Sequence, residues 1–135
     1  MPHNKSIHKL STFGIGAKTL GWIKAFLSGR SQSVRINSTC SSCSAVASGV
    51  VQGSVLEPLL FAQYINDLPD SCPACVVKLF ADDAKAYKKI TSQHDRQVLQ
   101  KSLCNICIWA EHWELDLYDQ CCYLQIGYED NSLSY

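Results

Sequence analysis

The sequence predicts an α+β fold in which an antiparallel sheet is covered on one face by helices. Several segments repeat apolar residues every three or four positions, which is typical of helices. Two regions switch to a spacing of two, and the second of them doubles back at a tight turn. With 135 residues, 47% of them hydrophobic, the chain is long enough for one core and too short for two ordinary domains.

The first two elements are helices. Residues 5–13 form a short amphipathic helix, which Gly14 ends. A second, more regular helix follows and closes at Ser28-Gly29. Its apolar positions are Leu20, Ile23 and Leu27, with Trp22 and Phe26 beside them.

A pair of strands comes next. Residues 30–36 adopt a period of two, which predicts a half-buried strand with Val34 and Ile36 on one face. Residues 37–42 are polar and typical of a turn, so residues 44–48 form the returning strand.

A loop with two glycines leads into the third helix. Gly49 and Gly53 allow the backbone to approach a ligand closely, although most such loops before helices are plain connections. Two starts for the helix stay open: Pro58 suits a first helical position, while Ser54 and Glu57 match a capping box. The helical apolar positions are Phe61, Tyr64, Ile65 and Leu68, and Pro69 stops the helix.

The central feature is a hairpin within residues 76–87. Two strand-forming runs flank Phe80-Ala81-Asp82-Asp83, which places two carboxylates at the tip of a tight turn. Hard divalent cations take oxygen ligands, so carboxylates at this place indicate a metal site. Turn propensity alone explains most Asp-Asp pairs taken singly.

The longest helix follows the hairpin. Ser92, with Asp95 three residues later, marks its start. Its apolar positions are Leu99, Leu103, Ile106, Ala110, Trp113 and Leu117. Residues 122–126 alternate as a closing strand, and residues 128–135 form a frayed tail.

The charges are unevenly distributed although the formal net charge is zero. Residues 1–56 contain six Lys or Arg and no acid, whereas residues 57–135 contain all twelve acids and six bases. A cationic first half suits contact with a polyanion, and an acidic second half suits metal ions. Chance segregation of solvated charges is the plainer interpretation.

Six of the eight cysteines form C-x-x-C pairs, Cys40/Cys43, Cys72/Cys75 and Cys104/Cys107. Such pairs can hold structural zinc, but the intervals between them exceed the common ribbon spacing and no histidine lies at finger spacing. Buried free thiols in a reducing compartment are therefore expected. No apolar run approaches the roughly 18 residues that span a bilayer, and no signal-like block follows Met1, so we expect an intracellular protein, nuclear or cytoplasmic, without a membrane partner.

Several segments, in one order and at family-like spacing, resemble the palm of a non-LTR retrotransposon (LINE-type) reverse transcriptase. The resemblance extends from about His3 to Gly127. The matching segments are Trp22-Ile23, Phe26-Leu27-Ser28-Gly29-Arg30, Gln32-Ser33-Val34, Ser48-Gly49-Val50-Val51-Gln52-Gly53-Ser54, Leu59-Leu60-Phe61, Tyr64-Ile65-Asn66-Asp67-Leu68-Pro69, Leu79-Phe80-Ala81-Asp82-Asp83, Trp109-Ala110 and Trp113.

The resemblance implies an incomplete, palm-like domain in residues 1–127, with residues 128–135 as a disordered tail. It also implies RNA-directed DNA synthesis on an RNA template, in which a DNA primer hydroxyl attacks a dNTP with the help of two Mg²⁺ ions. The matched positions make Asp82 a direct metal ligand, and they place Asp83 beside it in the catalytic and metal site with a lesser role. Substrate and template contacts fall on Phe80 in the aromatic place of the motif, on Gln52 and Gly53 near the nucleotide, and on Arg30 or Arg35 at the nucleic-acid backbone.

The chain also departs from the family pattern. The family's first metal-binding strand, with a further catalytic aspartate, precedes the segment that Met1-Pro2-His3 resembles, and no carboxylate precedes Glu57. Val51 stands where proline is usual and Glu57 where glycine is usual. Tyr118 and Cys121 replace a typical asparagine and lysine, so a lysine proposed to assist proton transfer is missing.

The hypothesis is therefore a truncated and degenerate reverse-transcriptase palm that is inactive alone. The alternative is a small zinc-binding or nucleic-acid-binding module that uses the cysteine pairs and the basic first half. A third interpretation is a structural remnant with exposed apolar surface.

Overall fold

A computed structural model of the chain describes residues 1–117 and 121–127. Its helices are α1 (His3–Thr12), α2 (Ala17–Leu27), α3 (Leu56–Ile65) and α4 (Gln93–His112), and a 3₁₀ turn lies at Leu68–Ser71. Its strands are β1 (Ser31–Gln32), β2 (Arg35–Ile36), β3 (Thr39–Cys40), β4 (Ser44–Ala45), β5 (Val76–Phe80) and β6 (Asp83–Tyr87). The mixed α+β class is confirmed. The chain divides into two compact units, Met1–Asp67 and a second that begins at Leu68. The assignment of residues 1–127 to one partial domain stays a prediction.

The first unit is held together by helices α1, α2 and α3. Their apolar faces meet in a core formed by Leu10, Ile23, Leu27 and Leu60. Leu27 is 1% exposed, and the predicted helical spacing of α2 explains why it lies on the same face as Ile23. Burial of these four side chains stabilises the unit by roughly 2 kcal/mol for each.

A partly buried ion pair joins α1 to the residues that follow α3. The Nζ atom of Lys9 lies 2.5 Å from Oδ1 of Asp67 and donates to the carbonyl oxygen of Tyr64, also at 2.5 Å. Lys9 is only 3% exposed, so it loses its water shell and depends on these oxygens. Burial lowers the pKa of Lys9 below its usual value, while the hydrogen bond and the charge of Asp67 act in the opposite direction.

The single half-buried strand expected over residues 30–36 is wrong. Two short strands replace it: β1 pairs with β4 through Ser31 and Ala45, and β2 pairs with β3 through Arg35 and Cys40. Val34 separates them because its N–H donates to the side chain of Ser41, 2.9 Å away, which withdraws that amide from a regular ladder. Neither Val34 nor Ile36 is buried, so the alternating pattern does not mark a core face here.

The third helix begins at Leu56, between the two expected starts. Val55 is its N-cap residue and makes no side-chain capping bond, so Pro58 is the third helical residue, where a missing N–H is still tolerated. Glu57 does reach back, but to Gly53 rather than to Ser54. The helix ends at Ile65, and Pro69 lies within the 3₁₀ turn instead of directly after the helix.

In the second unit, the hairpin and the start of α4 are confirmed. Ser92 is the N-cap residue, and its side chain accepts a hydrogen bond from the N–H of Asp95. The carboxylate of Asp95 accepts bonds from Ser92 and from Thr91, and these bonds hold its pKa well below the usual range.

The end of α4 differs from the expected apolar pattern. The helix ends at His112, where the N–H groups of Glu114 and Leu115 donate to the carbonyls of Glu111 and Ala110. Leu117 therefore lies beyond the helix. Leu103 faces solvent, whereas Ser102 is buried. The apolar spacing therefore predicted Leu103 on the buried face of α4, where the structure has Ser102 instead. A serine can be buried there because its hydroxyl donates a hydrogen bond to the carbonyl of Val98.

Three further expectations are corrected. In the described part of the chain, the strands form three separate two-stranded pairs rather than one helix-covered sheet. The closing strand at residues 122–126 is wrong, since residues 121–127 adopt no strand. The expectation of buried thiols is also wrong, because Cys72 is buried, Cys75 is half-buried and the other six cysteines are exposed.

Two other expectations are left as they stood. The tail at residues 128–135 and Tyr118 lie outside the described residues. Across residues 1–117 and 121–127, no helix is long and apolar enough to cross a bilayer.

Candidate metal-binding hairpin

The candidate site is the tip of the β5–β6 hairpin. The strands pair in antiparallel register from Val76 opposite Tyr87 to Phe80 opposite Asp83. This register leaves a two-residue turn, Ala81-Asp82, in which Ala81 has a positive φ of 51°. Two-residue hairpin turns need a positive φ at their first residue, because only then does their twist match that of the strands. An alanine in this conformation costs about 1 kcal/mol.

The two carboxylates lie next to each other in solvent. Asp82 is in the turn and Asp83 is the first residue of β6, and both are exposed. Among the described residues, neither carboxylate forms an ion pair. Phe80 faces Asp83 across the hairpin and is 82% exposed. The structure therefore brings together three of the predicted site residues and leaves their side chains accessible.

The hairpin has two distinct faces because side chains alternate along each strand. Val77, Leu79 and Ala86 are half-buried on one face, and β5 contacts the 3₁₀ turn at Leu68–Ser71. The other face is exposed and contains Lys78 and Lys85 directly opposite each other. The inward face anchors the hairpin, so the tip is carried on a packed element.

The glycine loop lies in the first unit and is tied to the start of the chain. The N–H of Gly49 donates to the carbonyl of Met1 at 2.8 Å, and Nε2 of His3 lies 3.1 Å from the carbonyl oxygen of Gly49. Gly49 and Gly53 have φ values of 89° and 75°, and among the described residues, apart from each glycine's chain neighbours, no atom lies within 4 Å of a Cβ added at either position. These glycines are needed for their backbone conformation rather than for a close approach within the chain.

Glu57, at the position where the family usually has glycine, forms a hydrogen bond with the glycine loop. Its Oε2 accepts a hydrogen bond from the N–H of Gly53 at 2.6 Å, while Gln52 stays exposed. A carboxylate on this amide occupies the donor that a phosphate oxygen would use. The proposed nucleotide contact at Gly53 would therefore require Glu57 to move.

The two candidate arginines are held locally. Arg30 lies over the ring of Phe26 at 4.8 Å, and its Nε donates to the carbonyl of Phe26 at 2.7 Å. Arg35 donates from Nε to the carbonyl of Asn37 at 3.2 Å. Both side chains are exposed, so their terminal nitrogens are available to phosphate.

Sequence reasoning missed two charge arrangements. It did not identify the Lys9–Asp67 pair, because a salt bridge between residues far apart in sequence leaves no periodic signal. It also overlooked that Lys78 and Lys85 face each other. Counting outward in steps of two from Phe80 and Asp83 would have found the second arrangement.

Comparison with known proteins defines the class. The profile of the family described as reverse transcriptase (RNA-dependent DNA polymerase) matches residues 1–123. This chain belongs to the reverse transcriptase family, and it is a fragment of such a domain of the retrotransposon type.

Its curated relatives come from Drosophila melanogaster. The chain is 34% identical over 106 residues to a probable RNA-directed DNA polymerase from transposon X-element, which covers 75% of this chain and 12% of that protein. It is 31% identical over 108 residues to the RNA-directed DNA polymerase from mobile element jockey. That match covers 74% of this chain and 12% of the jockey protein. The chain thus spans about 12% of the length of these relatives. No solved structure gives a significant match.

The zinc alternative is not supported. Within residues 1–117 and 121–127, no three His, Cys, Asp or Glu side chains are grouped so that they could hold a metal ion. A structural zinc site needs four such ligands, and a single C-x-x-C pair supplies two.

Proposed function

We propose that this chain supplies the carboxylate hairpin of an RNA-directed DNA polymerase, with Asp82 as the metal ligand and Asp83 as its neighbour. The observation that carries the proposal is the exposed two-residue turn with adjacent carboxylates and an exposed Phe80, in a chain of the reverse transcriptase family. A palm-like placement of this hairpin among the other elements is part of the same proposal.

The donor set suits magnesium. Mg²⁺ prefers carboxylate oxygens and keeps several waters, and two adjacent exposed carboxylates offer such oxygens. When bound, two Mg²⁺ ions would supply activation of the primer hydroxyl and neutralise charge on the transferred phosphoryl group. The role of the chain's own residues is to hold the oxygens of Asp82 and Asp83 at a fixed tip, while Phe80 offers a ring beside them.

The proposed partners are an RNA template, a DNA primer and a dNTP. Gln52 and Gly53 would lie near the nucleotide, and Arg30 or Arg35 would contact backbone phosphates. The exposed guanidinium groups support the second role, because arginine binds phosphate with paired N–H donors.

The chain alone is proposed to be inactive in polymerisation. Two carboxylates on one turn cannot bridge a pair of metal ions from two directions, and no carboxylate precedes Glu57 in the sequence. A primer-extension assay on an RNA template with Mg²⁺ tests this point. We expect no incorporation; incorporation that disappears in Asp82→Ala would show that the chain is a complete enzyme.

Metal binding by the hairpin can be tested without catalysis. In NMR spectra of the chain, Mn²⁺ should broaden the amide signals of residues 81–84 at lower concentrations than those around Asp70, an exposed aspartate without an acidic neighbour. Asp82→Asn should remove this preference. Equal broadening at both places would contradict a metal-binding role for the tip.

A further inference from the structure

The outer face of α4 has an apolar centre between two charged ends. Its exposed residues recur every three or four positions, which places them in one stripe along the helix. In chain order this stripe, which we call the outer face, consists of Gln100, Lys101, Cys104, Cys107, Ile108 and Glu111. Ile108 is 63% exposed, although a side chain of this kind is usually buried.

The centre of the outer face contains two thiols that are not in disulfides. Cys104 and Cys107 are one helical turn apart, and both are exposed. The amide nitrogen of Gln100 lies 3.8 Å from the sulfur of Cys104, which accepts only weakly. Because a thiol packs as a small apolar group, the two cysteines and Ile108 form a continuous apolar patch on an otherwise polar helix face.

The charges at the two ends of the outer face have opposite signs. Lys101 precedes the cysteines and Glu111 follows them. Among the described residues, neither forms an ion pair, and no residue three or four positions away in sequence from either one carries the opposite charge. Glu111 lies in the last turn of the helix, where the helix dipole disfavours a carboxylate. This acid is therefore not placed to stabilise its own helix.

The apolar patch is complementary to itself. In a two-fold pair of antiparallel helices, each residue lies level with the residue that is equally far on the other side of the axis. An axis midway between Cys104 and Cys107 brings Cys104 of one copy against Cys107 of the other, twice. The two thiols of each copy then fill the centre of the contact.

The same axis also matches the charges. It brings Lys101 level with the stretch between Ile108 and Glu111 of the second copy. The aliphatic stem of the lysine can then cover Ile108, while its ammonium group reaches the carboxylate of Glu111. Because the axis repeats this contact at the other end, two ion pairs flank the apolar centre.

The size of the patch determines how strong the association is. Stable interfaces bury about 800 Å² on each partner, whereas three apolar side chains on a single helix cover less. A pair of copies held by this face alone is therefore reversible and forms at high protein concentration.

We propose that the outer face of α4 binds the same face of a second copy of this chain, in an antiparallel two-fold dimer. Cys104 lies against Cys107 of the second copy, and Lys101 lies near its Glu111. This inference goes beyond the proposed function and does not depend on it.

The test is disulfide trapping of the whole chain by oxidised glutathione. This oxidant accepts the two electrons and two protons that a thiol pair releases, and it becomes two molecules of reduced glutathione. Each variant carries serine at the five other cysteines that are not buried, Cys40, Cys43, Cys75, Cys121 and Cys122, and keeps the buried Cys72. In this background, Cys107→Ser leaves Cys104 as the accessible thiol, and Cys104→Ser leaves Cys107.

An equimolar mixture of the Cys104→Ser and Cys107→Ser chains should form covalent dimers about tenfold faster than either chain alone. A disulfide requires Cα atoms within about 7 Å, and the antiparallel register brings the unlike thiols together. Electrophoresis without reductant measures the rates. Equal rates in the mixture and in the single chains would indicate random collision or parallel pairing and would overturn the proposal. Absence of covalent dimers from every sample would also overturn it.

The charges are tested by a swap in both members of the mixture. Lys101→Glu should slow trapping about fivefold or more, because it places like charges together at both ends of the dimer. The double variant K101E/E111K should return the rate to within about twofold of the parent mixture, since opposite charges face each other again. A double variant as slow as Lys101→Glu would contradict the proposed register.

The control for net charge is Lys89→Glu, which changes an exposed lysine outside α4. It alters the net charge as much as Lys101→Glu and should change the rate less than about twofold. A control as slow as Lys101→Glu would mean that net charge, rather than the pairing of Lys101 with Glu111, governs the rate, and the proposed contact would be refuted. Circular dichroism checks that each variant folds; the substituted residues are exposed, so helical ellipticity should match that of the background.

Discussion

Lys9 and the pair Lys78/Lys85 show two opposite treatments of the same side chain. Lys9 is buried and held by Asp67 and the carbonyl of Tyr64. Lys78 and Lys85 are exposed and face each other. The first arrangement stabilises the fold of its unit, whereas the second opposes folding slightly because the two like charges repel. Comparing them separates the charges that build this protein from those available for binding.

The largest expected effect comes from the core behind Lys9. Leu27→Ala should lower the free energy of unfolding by about 3 to 4 kcal/mol, because a nearly fully buried leucine leaves a cavity among Leu10, Ile23 and Leu60. Urea unfolding monitored by circular dichroism measures it. Leu59→Ala is the matched control, since Leu59 is exposed on α3 and its loss should cost under about 0.5 kcal/mol. Similar costs for both variants would mean that this core does not form.

Removing the partner of Lys9 is the next largest change. Asp67→Ala leaves a buried ammonium without its counter-ion, and about 2 kcal/mol should be lost; fully buried pairs lose more, but Asp67 is partly exposed. Asp70→Ala removes an exposed carboxylate three residues away and should be nearly neutral. Chemical denaturation distinguishes the two. If Asp67→Ala is as mild as Asp70→Ala, the ion pair has no structural role.

Acidification should weaken the start of α4. The pKa of Asp95 is lowered by hydrogen bonds from Ser92 and Thr91 and by the charge of Lys88, so its contribution to stability is complete above the usual carboxyl value of 3.8 and is lost as pH falls below it. Helical ellipticity of the parent should therefore decrease more between neutral pH and about pH 2 than that of Asp95→Asn. A parent and variant that lose the same ellipticity would contradict the assigned cap.

The smallest expected change is at the lysine pair. Lys85→Glu replaces a repulsion by an attraction across the hairpin and should raise stability by a few tenths of a kcal/mol. Thermal unfolding of the parent and the variant measures this change. A substitution that destabilises the chain would mean that Lys85 has a partner within the fold.

Signals between neighbouring residues predicted most helices and the hairpin, whereas the pairing of strands with residues farther along the chain was not predicted. The hairpin was found because Asp82 and Asp83 sit between two runs with a period of two, and the α4 cap because Ser92 and Asp95 are neighbours in sequence. The prediction of one strand over residues 30–36 is wrong because the N–H of Val34 donates to the side chain of Ser41, seven residues away, instead of to a neighbouring strand. The closing strand at residues 122–126 failed because alternation alone supplies no partner strand.

The same limit applies to the site. The tip could be predicted, since a turn places its own residues. The hydrogen bond from the N–H of Gly53 to Glu57 could not be predicted, because a side chain that folds back onto its own loop leaves no periodic pattern in the sequence. The positions of Gln52, Arg30 and Arg35 relative to a template depend on partners that no sequence pattern describes.

The most direct test of the central claim is a chimera in which residues 76–90 of this chain replace the matching hairpin segment of the X-element polymerase, assayed for RNA-templated primer extension with Mg²⁺. We predict extension by the chimera and its loss in Asp82→Ala, with Lys89→Gln, a change of an exposed lysine away from the tip, active as the control. Extension that survives Asp82→Ala, or a folded chimera that cannot extend a primer, would contradict the assignment of the hairpin as the polymerase's carboxylate tip.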